Sequence, residues 1–189
     1  MPGVTAELKT GRLLLRQWRD DDLDAWAAMN ADPEVREFFP EVLTPEQAAA
    51  SLAHFRGELA ARGWGWWAVE VTATGELAGM AGLDPVDEGV PFHGVEAGWR
   101  LARHAWGKGY ATEAARAVFA YGFETLGLPE ILAIAAAGNV RSHAVMRRLG
   151  MTHDPADDFD DPTVPPGPLR RSVAYRLRNP HAGRPLTPG

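Results

Sequence analysis

The chain has 189 residues, 19 Lys plus Arg against 25 Asp plus Glu, a formal net charge of -6 and no cysteine. That length fits one domain with one substantial core, and the negative charge opposes non-specific affinity for nucleic acid or anionic membrane. Without thiols there are no disulfides, no cysteine-ligated metals and no cysteinyl acyl intermediates. No apolar run approaches the roughly 20 residues needed to span a bilayer, and the N-terminus lacks a basic segment followed by an apolar one, so a soluble cytoplasmic protein is expected.

In chain order, Arg12 to Trp18 carries three leucines and predicts a first buried strand. Asp20 is placed to cap a helix through about Asn30, with Leu23, Trp26 and Ala27 on one face. Thr44-Pro45-Glu46-Gln47 is a stronger start signal, with Thr44 as cap, Pro45 in the first turn and Gln47 reaching back, for a helix to about Arg62. Residues 64–71 and 76–83 read as a hairpin about the Thr74-Gly75 turn, and residues 94–101 as the next strand. A helix follows in which Ala111, Ala114, Ala115, Val118, Gly122, Phe123 and Leu126 recur at helical spacing, ended by Gly127. Ile131 to Ala136 is a short strand, and Asn139 to Leu149 a helix stopped by Gly150. Asp154 to Pro168 is expected as a loop, Arg171 to Arg178 as a last strand, and residues 179–189 as a disordered tail. This order predicts a single α/β domain over residues 8–178 with a mixed sheet.

The segment with most chemistry is Trp106-Gly107-Lys108-Gly109-Tyr110-Ala111-Thr112. Two glycines lead from a strand into a helix of small residues, and glycine lets backbone amides approach an anion where the helix N-terminus supplies unpaired N–H groups. A phosphorylated ligand is expected. The spacing does not match a nucleoside-triphosphate P-loop, and the dinucleotide fingerprint would need a glycine at Thr112.

The run from His104 to Gly109 resembles the acyl-CoA loop of the GNAT acetyltransferase superfamily, Arg/Gln-x-x-Gly-x-Gly/Ala. His104 stands where the pattern has Arg or Gln, with Arg103 adjacent to supply the charge. Asn139 to Met151 is similar to the N-x-x-S-x-x-V-x-x-x-L-G-M helix of the ribosomal-protein N-terminal acetyltransferase (RimJ/RimL-like) branch, and Gly11 to Arg16 resembles that branch's first strand. In the region from Asp157 to Tyr175, Asp161 and Ser172 stand where many relatives carry histidines. The resemblance implies a GNAT fold, a mostly antiparallel sheet flanked by helices with acyl-CoA at the glycine turn, and acetyl transfer directly from acetyl-CoA to an amine. The amine is a protein N-terminal α-amine or a small molecule; a non-catalytic acyl-CoA-binding domain and a dinucleotide-binding oxidoreductase are the rivals.

By the same resemblance, Trp99, Arg100 and Leu101 offer main-chain groups to the pantetheine arm and His104, Trp106, Gly107, Lys108, Gly109, Tyr110, Ala111 and Thr112 hold the pyrophosphate. Asn139 hydrogen-bonds the pantetheine, and Ser142 gives a proton to the departing thiolate. An α-amine of pKa about 8 is roughly a tenth neutral at pH 7 and a lysine far less, so a general base helps. Glu96 on the strand before the loop is the candidate, with His93 and His143 as alternatives. For Glu96 the plainer reading is a solvated or ion-paired carboxylate, and for Asn139 a simple helix cap. The six histidines and the acidic residues show no metal-site spacing, and the scattered arginines no recognised RNA-binding pattern. A monomer or homodimer without nucleic-acid or membrane partners is expected.

Overall fold

Residues 5–180, which the computed structural model describes, form one sheet with helices on both faces. The expected tail lies outside the described residues apart from Asn179 and Pro180. The strands are β1 (Leu8–Lys9), β2 (Leu13–Arg16), β3 (Trp66–Val71), β4 (Leu77–Pro85), β5 (Val95–Leu101), β6 (Glu130–Ala136), β7 (Thr152–His153), β8 (Phe159–Asp160) and β9 (Arg171–Arg178). The helices are α1 (Leu23–Ala31), α2 (Pro45–Arg62), α3 (Tyr110–Ala120) and α4 (Val140–Arg148). Strand order is β1-β2-β3-β4-β5-β6-β9-β7, with β8 also on β9. Every pairing is antiparallel except β5 with β6.

Alternation along β3 shows how the two layers form. Trp66 turns toward Phe55 of α2 (ring centroids 6.4 Å apart), while Trp67 turns to the other face and meets Tyr121 just beyond α3 (5.5 Å). Trp18, Trp26 and Trp67 are among the largest fully buried side chains. The central strands approach closely through glycine: a Cβ on Gly82 would lie 2.0 Å from the Gly65 carbonyl oxygen.

The start of α2 is as the sequence predicts. Thr44 Oγ1 accepts from the Gln47 N–H (3.2 Å) and Gln47 Oε1 from the Thr44 N–H (2.8 Å), while Gly63, at φ 81°, ends the helix. Thr44→Ala is expected to cost about 1 kcal/mol, read as a lower urea midpoint with an unchanged slope.

Elsewhere the elements depart from expectation for local reasons. Asp20 does not cap α1. A 3-10 turn spans Asp20–Asp22 instead, because Asp22 reaches back to the Arg19 N–H (2.8 Å) and binds Arg16 through both carboxylate oxygens (2.8 Å each). Arg16 Nε also meets Glu70 (2.6 Å), so an ion network is buried at the end of β2. Burial alone would raise the Asp22 pKa, but the Arg16 hydrogen bonds and the Arg19 amide hold it below the ordinary carboxylate value. Past Ala120, α3 widens into a π turn over Tyr121–Thr125, where Gly122 lets it pack against Leu83, Leu128 and Ile131 before Gly127 at φ 64°. The predicted loop after Asp154 contains a 3-10 turn and β8.

Candidate active site

The site begins where the sheet comes apart. Parallel β5 and β6 share one registered pair, Glu96 with Leu132, and beyond it Ala97 to Leu101 pair with β4 along one edge and, among the described residues, with no strand along the other. A parallel pair needs a crossover helix, here α3, so the turn into α3 and the start of α4 both lie past the C-terminal ends of the diverging strands. Two helix N-termini therefore flank one wedge.

The glycine turn closes one side. Gly107 (φ 73°) and Gly109 (φ 79°) both take left-handed conformations, and Gly109 caps α3 without a side chain. The amides of Tyr110, Ala111 and Thr112 begin the helix and so have no acceptor within it, an arrangement that suits an anion. Residues that sequence reasoning missed brace the turn. Arg12 donates from Nη1 to the Lys108 carbonyl (2.9 Å) and from Nε to Glu113 (2.7 Å), and lies over the Tyr110 ring (4.8 Å). Glu113 also accepts from Thr10 Oγ1 (2.6 Å), bolting the β1–β2 turn to the first turn of α3. Partners about a hundred residues apart leave no spacing signal.

The expected cofactor residues are not all presented alike. Lys108 is exposed, and Trp106 donates its indole N–H to the Leu101 carbonyl (2.8 Å), occupying that group. The His104 side chain lines two hollows beside α1 and the start of β4 that include none of residues 106–112, and Arg103 is held by Asp32 and Glu34. Arg103, the cation adjacent to His104, is thus already engaged by two carboxylates of the α1–α2 loop. Trp99 is half-buried against the core, and Arg100 turns its side chain to α1, where it meets Asn30 (2.9 Å).

On α4, Asn139 is the N-cap: its Oδ1 accepts from the Ser142 N–H (3.1 Å). The capping role considered from the sequence is present, and the Asn139 amide NH₂ is left for other partners. Ser142 is half-buried in that first turn.

Glu96, at the apex of the wedge, shares a face of β5 with Gly98 and Arg100, and a Cβ on Gly98 would touch the Trp66 ring (3.0 Å). This is the face of α1 and α2, opposite that of α3. Burial, followed by the charges of Asp87, Asp84 and Asp161, pushes the Glu96 carboxyl up to about 8. A carboxyl with that value exchanges protons near neutrality, as a base for an ammonium acceptor must. Asp161 thus makes itself felt at the site through charge. Of the alternatives, His93 is exposed, while His143 is buried beside Tyr175 (rings 5.8 Å apart) with its pKa lowered mainly by burial.

Among the described residues no group of three or more His, Cys, Asp or Glu side chains is placed to hold a metal ion, and no helix is long and apolar enough to cross a membrane. Residues 12–152 match the acetyltransferase (GNAT) domain family. The chain is 31% identical to the FsC-acetyl coenzyme A-N(2)-transacetylase of Aspergillus fumigatus, over 90% of this chain and 75% of that protein. It is 30% identical to the uncharacterized N-acetyltransferase YnaD of Bacillus subtilis, over 78% and 83% of the two chains. A solved GNAT-family acetyltransferase from Bacillus anthracis superposes with a TM-score of 0.78 at 26% identity, covering 92% of this chain and 99% of that one.

Proposed function

The chain belongs to the GNAT acetyltransferase family, and from that premise we propose that it transfers an acetyl group from acetyl-CoA directly to an amine that enters on the α1–α2 face of the wedge. N-acetyltransferase chemistry with acetyl-CoA as cosubstrate follows from the family and from its named relatives. The observation that carries the placement of residues is the wedge itself, with a glycine turn and two helix starts at its open end and a carboxyl of raised pKa at its apex.

Acetyl-CoA brings the acetyl group activated as a thioester. The residues fit it: the turn from Gly107 to Thr112, with Trp106 and the exposed Lys108 beside it, receives the pyrophosphate on backbone amides, and the free edge of β5 near Trp99 receives the amide-bearing arm. Asn139 turns its NH₂ to that arm while its oxygen caps α4. Glu96 takes the proton that the amine loses as the new C–N bond forms, and Ser142 returns a proton to the sulfur released when the C–S bond breaks. A thiol of pKa about 8.5 makes the second task undemanding, so Ser142 acts chiefly by position. The resemblance of Asn139 to Met151 to the ribosomal-protein branch favours a protein N-terminus among acceptors, and the geometry of β5 favours a smaller amine, developed below.

The test is thiol release from acetyl-CoA over a panel of small amines and amino-terminal peptides. Amine-dependent release at least about tenfold above hydrolysis is expected, consistent with general-base assistance. Tight acetyl-CoA binding with no amine-dependent release from any acceptor would make the protein a sensor of the cofactor.

A further inference from the structure

Two guanidinium groups occupy the far end of the acceptor face, neither in an ion pair with a carboxylate among the described residues, although the charge of Glu41 reaches Arg36. Arg36, in the loop between α1 and α2, and Arg100, on β5, both lie over the Phe39 ring, at 4.3 Å and 4.2 Å from its centroid. Arg36 donates from Nε to the Glu41 carbonyl (2.9 Å). Arg100 donates from Nη1 to the neutral Oδ1 of Asn30 (2.9 Å), and its Nε is shut from solvent with no partner. Burial, and then the charge of Arg36, pulls the Arg100 guanidinium down to about 9.

Charges are handled differently around them. Arg103 is paired with Asp32 and Glu34, Arg141 with Glu37, and Arg62 with Asp84. Those pairings engage Asp32, Glu34 and Glu37 of the same loop and Asp84 of the neighbouring strand, which leaves Glu41, whose charge acts on Arg36 and not on Arg100. A buried cation beside a second cation is unfavourable unless something anionic joins it. The unused Nε side of Arg100 is the edge on which a planar carboxylate binds through two parallel hydrogen bonds.

We infer that Arg100, with Arg36, seats a carboxylate on the acceptor, so that the amine substrate is an aminocarboxylate read at one end by Glu96 and at the other by Arg100. This rests on the acetyltransferase reading above. Glu96 and Arg100 stand four residues apart on one strand face, so their α-carbons are about 13 Å apart. An amine and a carboxylate separated by a handful of bonds reach both. Trp66, lying across Gly98 between them, supplies an apolar floor for the connecting carbons.

The experiment compares 4-aminobutanoate with its neutral isostere 4-aminobutanamide, and the peptide Ala-Asp-Gly-Gly with Ala-Asn-Gly-Gly. Each is assayed by thiol release with wild type and Arg100→Met, beside calorimetry of the product-like 4-acetamidobutanoate and its amide. Arg100→Met removes a buried charge that has no carboxylate partner, but also the donor to the buried Asn30 Oδ1. The comparison therefore uses protein that melts near wild type, with Arg100→Gln, neutral but still able to donate, as a second variant expected to behave alike. Wild type is expected to prefer the carboxylate of a pair at least about 30-fold in kcat/KM, and Arg100→Met to bring that ratio within about threefold of unity. Discrimination in the first pair identifies a free aminocarboxylate, and discrimination in the peptide pair alone an acidic side chain at a protein N-terminus. Turnover without charge preference, or a preference that survives Arg100→Met, overturns the inference and leaves the enzyme reading intact. Arg100-dependent binding of 4-acetamidobutanoate without turnover of any amine does the reverse, and equal binding of acid and amide by both proteins in the absence of turnover overturns both.

Discussion

Gly109→Val is expected to weaken acetyl-CoA binding at least about a hundredfold in a protein that still folds. The backbone at Gly109 is left-handed, a conformation that costs a β-branched residue of order 1–3 kcal/mol, so valine drives the turn toward another path. An added Cβ would also lie 3.5 Å from Arg12 Nη2, which pairs with Glu113 (2.6 Å) on the same guanidinium whose Nη1 holds the Lys108 carbonyl. Amides that begin α3 then no longer converge on the anion. A hydrogen bond to a charged group contributes about 1.5–3 kcal/mol, so losing two accounts for the hundredfold change. Around Gly107 nothing lies within 4 Å of an added Cβ, and the effect there comes from its φ of 73° alone. Lys108→Ala, by contrast, is expected to cost little, since amides and the helix dipole do most of the recognition. Calorimetry with CoA on variants of wild-type circular dichroism decides the matter. A folded Gly109→Val protein of normal affinity removes this turn from the cofactor site.

Glu96→Gln is expected to lose activity and gain stability together. With the carboxyl at about 8, wild-type kcat/KM should climb with pH and level off above that value for an acceptor that is already neutral. The variant should fall about 10²–10⁴-fold below the plateau. At pH 6 only about one wild-type molecule in a hundred carries the ionised base, so the gap narrows there. Stability runs the other way. The folded pKa lies above the unfolded value near 4.5, so the group's favourable contribution is complete below pH 4.5 and is lost as pH rises through 8. Glutamine carries no charge to bury, and the variant should therefore melt above wild type at pH 9 and level with it near pH 4.5. Half-buried, the group keeps some solvent screening, which limits the gain to a few kcal/mol. Wild-type kcat/KM in Glu96→Gln from pH 6 to 9 would assign the proton to water.

How much of this was legible in the sequence differs by element. The capped helix from Pro45, the glycine turn into α3 and the long central strands carry their signals within ten residues, and the structure reproduces them. Strands β1, β7 and β8 are two residues each, too short for alternation to register, and exist because a longer neighbour pairs with them. At the site, its place on the strand before the loop singled out Glu96 but said nothing of its face, which is settled by the register of β5 against β4 and by the Trp66 ring over Gly98. Its raised pKa depends on Asp84, Asp87 and Asp161, which no local window gathers. The same is true of Arg12 with Glu113, and of Arg100 with Phe39. Each is a contact between segments that only the closed sheet brings together.

The parting of β5 from β6 also bears on how the molecule yields to force. A ladder of backbone hydrogen bonds resists shear along its whole length, but here one bridged pair joins the strands, and the rest of the seam is carried by α3 and by side-chain packing. Tension between residues 95 and 136 would therefore find a weak line through the middle of the sheet, with β1 to β5 on one side and β6 to β9 on the other. On the cofactor placement proposed above, a ligand laid along the free edge of β5 would add rungs to this seam, and the loaded protein should then resist such tension better than the free one.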